Sequence, residues 1–465
     1  MIPRVFWLLS LGLAFAGYVQ GQDLAPTQRS DASSLQGTGL SGAIGLGLAE
    51  TDNIYRSDSG QHSDAIGLAI ADLAFDEDTR LIQAKAASNL AFLKYQDDDY
   101  PGEVIGNFYG AGRLSISPDR FSWVLQDNFG QQQINPADPV TPTNLENINF
   151  VSTGPDITVP MFGQSALRLS GRYSNVAYQT SDLNNNRLDG TLAILETFSA
   201  FNTLSADVGV ESIRYQDSAI NPDFETQEAY LDFESKHART TLSLMAGADR
   251  VTGSLPEPTQ PLVRLTIEHA VSESSRVTLA AGQDFSDSGN MLVQLQQLGG
   301  LSYAAAQGVA SNDPFTNRYG RIAWEYDRFR TGFGFDVARY QQVHLVETQF
   351  NEVLWVADIN YRRRMTPSLT ATITGGYLND TFEVATNNFR TLFETAALNW
   401  QIGKRLGLQF IYQHFGQSAN TSTNEFSENR IYAIVSYAVG RVQETGVAGA
   451  PGAPATVFGS GATQY

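Results

Sequence analysis

Histidines, arginines and carboxylates are the residues from which chemistry would have to come, because the 465-residue chain contains no cysteine. A thiol nucleophile, a disulfide scaffold, a cysteine zinc site and a lipid-bearing N-terminal cysteine are thereby excluded. Nucleophilic catalysis by a hydroxyl needs a base within hydrogen-bond reach. None of His62, His237, His269, His344 and His414 is followed two residues later by serine, the spacing that would set both on one strand face. His62 and Asp64 share that spacing, but they fall in a polar stretch where a solvated pair is the expectation. The histidines do not cluster as metal ligands do, so the sequence offers no catalytic residue and no metal site.

Acidic residues outnumber basic ones 49 to 30, for a net charge of −19. No basic face is available to neutralise phosphates, so no nucleic-acid partner is expected. No nucleotide-binding loop is present, no cofactor is implied, and any transport would be passive. Among the cations only Lys85, Lys94, Lys236 and Lys404 are lysine. Arginine holds a carboxylate with a planar fork and keeps its charge when partly dehydrated. Arg168, Arg172, Arg264, Glu268, Arg321, Glu325, Asp358 and Arg362 form the candidate charged track. Two readings stay open: pairs that stiffen a wall, or charged positions that select small solutes or pass an acidic sugar chain.

These residues sit in segments of about ten residues with alternating apolar and polar positions, the pattern of two-faced strands. In residues 165–173, Leu167, Leu169 and Tyr173 oppose Arg168, Ser170 and Arg172. In residues 319–327, Ile322, Trp324 and Tyr326 oppose Arg321, Glu325 and Asp327. Residues 264–268 and 353–362 alternate in the same way. A soluble sandwich also alternates, so connection lengths must discriminate. Short turns at 76–78, 118–120, 326–329 and 403–404 trade places with longer polar loops at 53–63, 95–102, 131–147, 175–187, 285–316 and 415–429. Short turns at one end and long loops at the other are what a transmembrane barrel requires. The expected fold is all-β, an antiparallel up-and-down transmembrane barrel of about 20 strands, with 18 as the alternative. Tyr95, Tyr173, Tyr215, Tyr340, Tyr361, Tyr377 and Tyr412 are expected in interfacial girdles.

Residues 1–21, with Arg4 ahead of the apolar run VFWLLSLGLAFAG, read as a secretory signal peptide. Residues 22–36 read as a disordered lead-in, 37–441 as the barrel, and 442–465 as a Gly/Ala/Pro-rich tail that is either flexible or ends in one more short strand. The chain is therefore expected in a bacterial outer membrane, with partners there in lipid, lipopolysaccharide and the barrel-assembly machinery. The longest connection, 285–316, carries Met291, Leu292, Leu295, Leu298, Leu301 and Tyr303. A connection of this length and apolar content is expected either to fold into the lumen as a constriction or to cap the outside and dock a partner.

Glu50, Thr51, Asp52, Asn53, Ile54 and Tyr55, at the end of the first alternating segment, resemble the first-strand motif of a β-barrel porin family. That family is associated with exopolysaccharide and exosortase (PEP-CTERM) gene clusters. The resemblance implies an outer-membrane conduit or accessory for exopolysaccharide export, partnered by the polysaccharide or its export components, and supplies no catalytic residue. The same residues also have a local account: Asp52 and Asn53 can end a strand, and Tyr55 can sit at the membrane interface. The functional expectation is a porin-like channel for polar solutes. The alternative is a closed barrel that docks a polysaccharide-secretion assembly.

Overall fold

The computed structural model describes residues 39–136, 138–253, 256–297, 309–383, 388–420 and 424–440. The expected signal peptide, lead-in and tail lie outside them. The first ten strands are β1 (Gly39–Thr51), β2 (Asp64–Asp78), β3 (Ile82–Tyr95), β4 (Glu103–Ser117), β5 (Phe121–Gln133), β6 (Leu145–Pro160), β7 (Ser165–Tyr178), β8 (Asn185–Ser199), β9 (Asn202–Tyr215) and β10 (Phe224–Lys236). The next five are β11 (Thr240–Gly253), β12 (Thr259–Ser272), β13 (Ser275–Ser286), β14 (Phe315–Arg328) and β15 (Thr331–His344). The last five are β16 (Glu352–Thr366), β17 (Leu369–Phe382), β18 (Phe389–Ile402), β19 (Leu406–Ala419) and β20 (Phe426–Gly440). One helix, α1 (Ser288–Gln297), follows β13.

Every strand pairs antiparallel with its chain neighbours, and β20 pairs with β1 from Ser41 opposite Gly440 to Thr51 opposite Arg430. The sheet is a closed 20-stranded barrel, as the alternation and loop lengths led us to expect. Closure leaves no unpaired edge, which backbone in hydrocarbon cannot tolerate. A strand of about 14 residues rises about 46 Å, and about 35 Å when tilted, enough to cross the ~25 Å apolar band. Long connections all lie at one end and short turns at the other, with both Gly39 and Gly440 at the short-turn end.

Side chains obey the period of two. In β1, Ile44, Leu46 and Leu48 face outward and are exposed. In β20, Ile431, Val435 and Tyr437 do the same. These exposed apolar rows form a lipid-facing surface. The inward face of β1 carries Ser41, Ala43, Gly45, Gly47 and Ala49, and this smallness admits β20. A Cβ on Gly47 would lie 2.7 Å from Ile434 Cγ1. At the foot of the seam, Gly440 has φ +71° and a Cβ there would meet Leu40 O at 1.8 Å, so only glycine fits.

Two expectations fail. Tyr95, Tyr215 and Tyr340 lie inside the barrel, nearly or fully buried, rather than in a lipid-facing girdle. They face inward because each shares the strand parity of the lumen, where folded-in loops cover them. Tyr173, Tyr361, Tyr377 and Tyr412 are exposed on the outer surface. Secondly, apolar residues do not all face lipid. Ile66, Leu68, Leu93, Leu354, Val356, Leu378, Phe393, Ile411 and Ile434 point inward and belong to one contiguous buried cluster. Part of the lumen is therefore packed like a protein core.

Candidate functional site

The barrel is narrowed at its long-loop end by two connections that turn inward. Of the first, residues 287–297 and 309–314 are described, and α1 runs against β5 and β6 on another part of the wall. Asp287 fixes its start: Oδ1 accepts from Gly289 N at 2.8 Å and Asn290 N at 3.3 Å, capping the helix. The same carboxylate receives the fork of Arg187 from β8, with Nη2–Oδ1 at 2.6 Å and Nη1–Oδ2 at 3.0 Å. Arg187 is 2% exposed and also lies over the Phe150 ring. Gln132 Nε2 donates to Ser288 O at 2.6 Å, the Ser288 hydroxyl bonds Tyr178, and Asn290 donates to Glu211 at 3.2 Å. Gln294 joins Asp284 to Asn317.

The second inward connection, 134–144, starts where the first returns to the wall: Ala310 N donates at 3.0 Å to the carbonyl of Gln133, the last residue of β5. Val140 of this loop is buried in the same apolar cluster as Met291, Phe315 and Phe426. Its carbonyl accepts from Arg56 Nη1 at 2.6 Å. The described parts of these loops lie inside the long-loop end, while lumen positions toward the short turns, such as Thr266, Glu268, Glu325 and Asn360, are partly or fully accessible.

Of the expected loop residues, Met291 and Leu292 are buried inside the barrel. Leu295 is in α1, and its side chain is outside the described residues, as are Leu298, Leu301 and Tyr303. All eight residues of the candidate charged track lie on inward positions, but they do not gather into one ring. Arg168 pairs with Asp207 at 3.7 Å and Arg172 with Asp156 at 2.6 Å. Arg264 pairs with Asp284 at 2.6 Å, Arg321 with Asp336, and Arg362 with Asp327. Asp358 stands opposite Asp336, Glu325 opposite Arg276, and Glu268 opposite Thr241 and Thr278. Each arginine is thus held by a carboxylate from a neighbouring strand or the one beyond.

The first-strand motif lies at the barrel seam. Thr51 donates to Glu428 Oε1 at 2.6 Å, and Arg56 Nε to Glu428 Oε2 at 2.8 Å. Arg430 bonds the same carboxylate, and all three charged groups are buried. Asp52 accepts from Asn429 N at 2.8 Å and Asn429 Nδ2 at 2.7 Å, while Asn53 donates to Ser427 O at 3.0 Å. Glu50 faces outward. Tyr55 leaves the seam, stacks on His62 and donates to Asp99 at 2.6 Å, an anion that pushes its phenol pKa up. His62 is 3.1 Å from Asp99, while Asp64 is buried and accepts from Asp97 N. Sequence reasoning missed Arg187, Asp287, Arg56 and Glu428. Only the Asp-Ser-Gly run at a helix start hinted at the cap.

The fold and lumen define a closed transmembrane β-barrel with a loop-narrowed, partly charged interior. No family model and no curated protein matches the chain. Among solved structures it is similar to the siderophore receptor PirA from Acinetobacter baumannii, at 8% identity and TM-score 0.47, over 87% of this chain and 81% of that one. PirA from Pseudomonas aeruginosa gives 14% identity and TM-score 0.42 over 86% and 80%. The FrpB iron transporter from Neisseria meningitidis gives 9% and 0.43 over 86% and 82%. Likeness at this level says nothing of what the chain carries.

Proposed function

We propose that the protein is an outer-membrane channel of porin type, passive and non-enzymatic, whose long-loop end is kept narrow by α1 and the Asp287 that anchors it. The observation that carries this reading is the buried Arg187–Asp287 fork, which spends a charged pair on holding helix α1 inside a barrel whose lumen carries polar and charged side chains toward the short turns. Loops folded into a large barrel set its bore, whereas loops outside it dock partners. Exopolysaccharide export stays attached to this reading through the first-strand motif alone, and in this structure the seam contacts account for that motif.

The second reading, a closed docking barrel, is favoured by one observation: the apolar cluster that fills part of the lumen. Single-channel current of the refolded chain, with and without deletion of residues 291–310, separates the two. Stable conductance that rises on deletion supports the channel. Silence in both forms, with barrel circular dichroism intact, refutes it and leaves the docking role.

A further inference from the structure

On the lumen wall from β4 to β13, every arginine that pairs already has its carboxylate. Arg113 and Arg172 share Asp156, Arg168 has Asp207, Arg187 has Asp287 and Glu211, and Arg264 has Asp284. Nearer the short turns, Lys236 bonds Glu234 and Arg276 stands opposite Glu325. Asp189, Glu228, Asp232 and Asp249 form no ion pair among the described residues. The same arc thus holds a surplus of carboxylate.

Register concentrates that surplus. Asp189 lies directly opposite Glu211, and Glu228 directly opposite Asp249. Like charges set opposite each other weaken a sheet, and a cation between them offsets the loss. Glu228 also leans across β9: a Cβ on Gly209 would meet its Oε1 at 2.9 Å, so glycine there brings the second pair toward the first. Asp249 is 5% exposed; its Oδ2 accepts from Phe285 N at 2.6 Å and its Oδ1 has no partner. Asp189, Glu228 and Asp232 are half-buried on the lumen face. No three ligating groups converge on a metal position among the described residues.

We propose that the acidic arc of β8–β11 binds oligoamines and makes the lumen a path for cations rather than anions. The unpaired carboxylates sit on β8, β10 and β11, one or two strand spacings of about 4.8 Å apart, distances that an extended chain of ammonium groups can span. The same field repels an acidic sugar chain. Passage rests on the channel reading above; binding does not.

Two measurements on the refolded full chain test this: reversal potential under a KCl gradient, and calorimetric titration with spermidine. Each is repeated with Asp189→Asn, Glu228→Gln and Asp232→Asn combined, or with Glu228→Gln alone if the triple variant does not refold. Potassium should be preferred over chloride, and the preference should fall roughly fivefold in the triple variant. Spermidine binding should weaken on substitution and with added salt. A chloride preference, equal permeability, or spermidine affinity unchanged by the substitutions overturns the proposal. A silent bilayer with binding that depends on these carboxylates overturns the channel and supports the oligoamine site. Silence without binding overturns both.

Discussion

Replacing Arg187 with methionine should release the helix from the lumen without opening the barrel. The guanidinium makes two bonds to Asp287, and both side chains are almost wholly buried. Removing one partner of such a pair leaves a buried charge uncompensated, at a cost of about 3–5 kcal/mol. At about 1.4 kcal/mol per factor of ten, the docked-to-undocked ratio falls by a factor of roughly a hundred to several thousand. The cost should appear in docking and not in global stability, because the β8 ladder uses backbone groups alone. Limited proteolysis between β13 and β14 and the mean current through single channels both read docking. Adding Asp287→Leu removes the stranded carboxylate and should restore docking except for the lost helix cap, about 1 kcal/mol. Unchanged proteolysis in the single variant, or a barrel that unfolds as a whole at lower urea, would refute the reasoning.

Leu46→Arg, at an exposed site in the middle of β1, should cost about 2–4 kcal/mol of folding stability in bilayers, whereas Glu325→Arg on the inward face should cost under about 1 kcal/mol; equal costs would mean the faces are wrongly assigned. Glu428→Gln should leave Arg56 and Arg430 without their counter-ion and lower stability by about 3–5 kcal/mol, well beyond the ~1 kcal/mol expected for Thr51→Val; urea unfolding followed by gel mobility would measure both. Tyr100, in the loop after β3, has its phenol pushed up to about 12, chiefly by burial. Its folded value lies above the unfolded one near 10, so its contribution is complete below about pH 10 and lost as pH rises through about 12. Tyr100→Phe should remove that step from the alkaline unfolding curve, and superimposable curves would contradict it.

Strand count and closure were legible because lipid imposes a strict period of two and the loops alternate in length. Ile322, Trp324 and Tyr326 against Arg321 and Asp327 needed no partner to be read. The core-like part of the lumen was not legible, since strands such as β18 are apolar on both faces: Phe393 faces in and Leu392 out. Inward tyrosines were mistaken for girdle residues for the same reason, because sequence position near a strand end does not fix parity across a loop. The connection 285–316 could be recognised as unusual in length and apolarity, but the placement of α1 inside the barrel depends on Arg187, a hundred residues before Asp287. The seam residues Arg56 and Glu428 are farther apart still, and only closure brings them together.

That separation has a kinetic side. Thr51 and Glu428 are 377 residues apart along the chain, so their bond cannot exist until the final strand has arrived. Hairpins can zip up one after another by local pairing, but joining the ends closes the largest loop the chain can make, and such contacts form late. Before that moment β1 and β20 each expose a free edge, and Glu428 lacks Thr51 and Arg56. The buried carboxylate between two arginines acquires its full set of partners only in the finished barrel. A chain truncated before Phe426 would keep both edges open and become a substrate for aggregation or degradation.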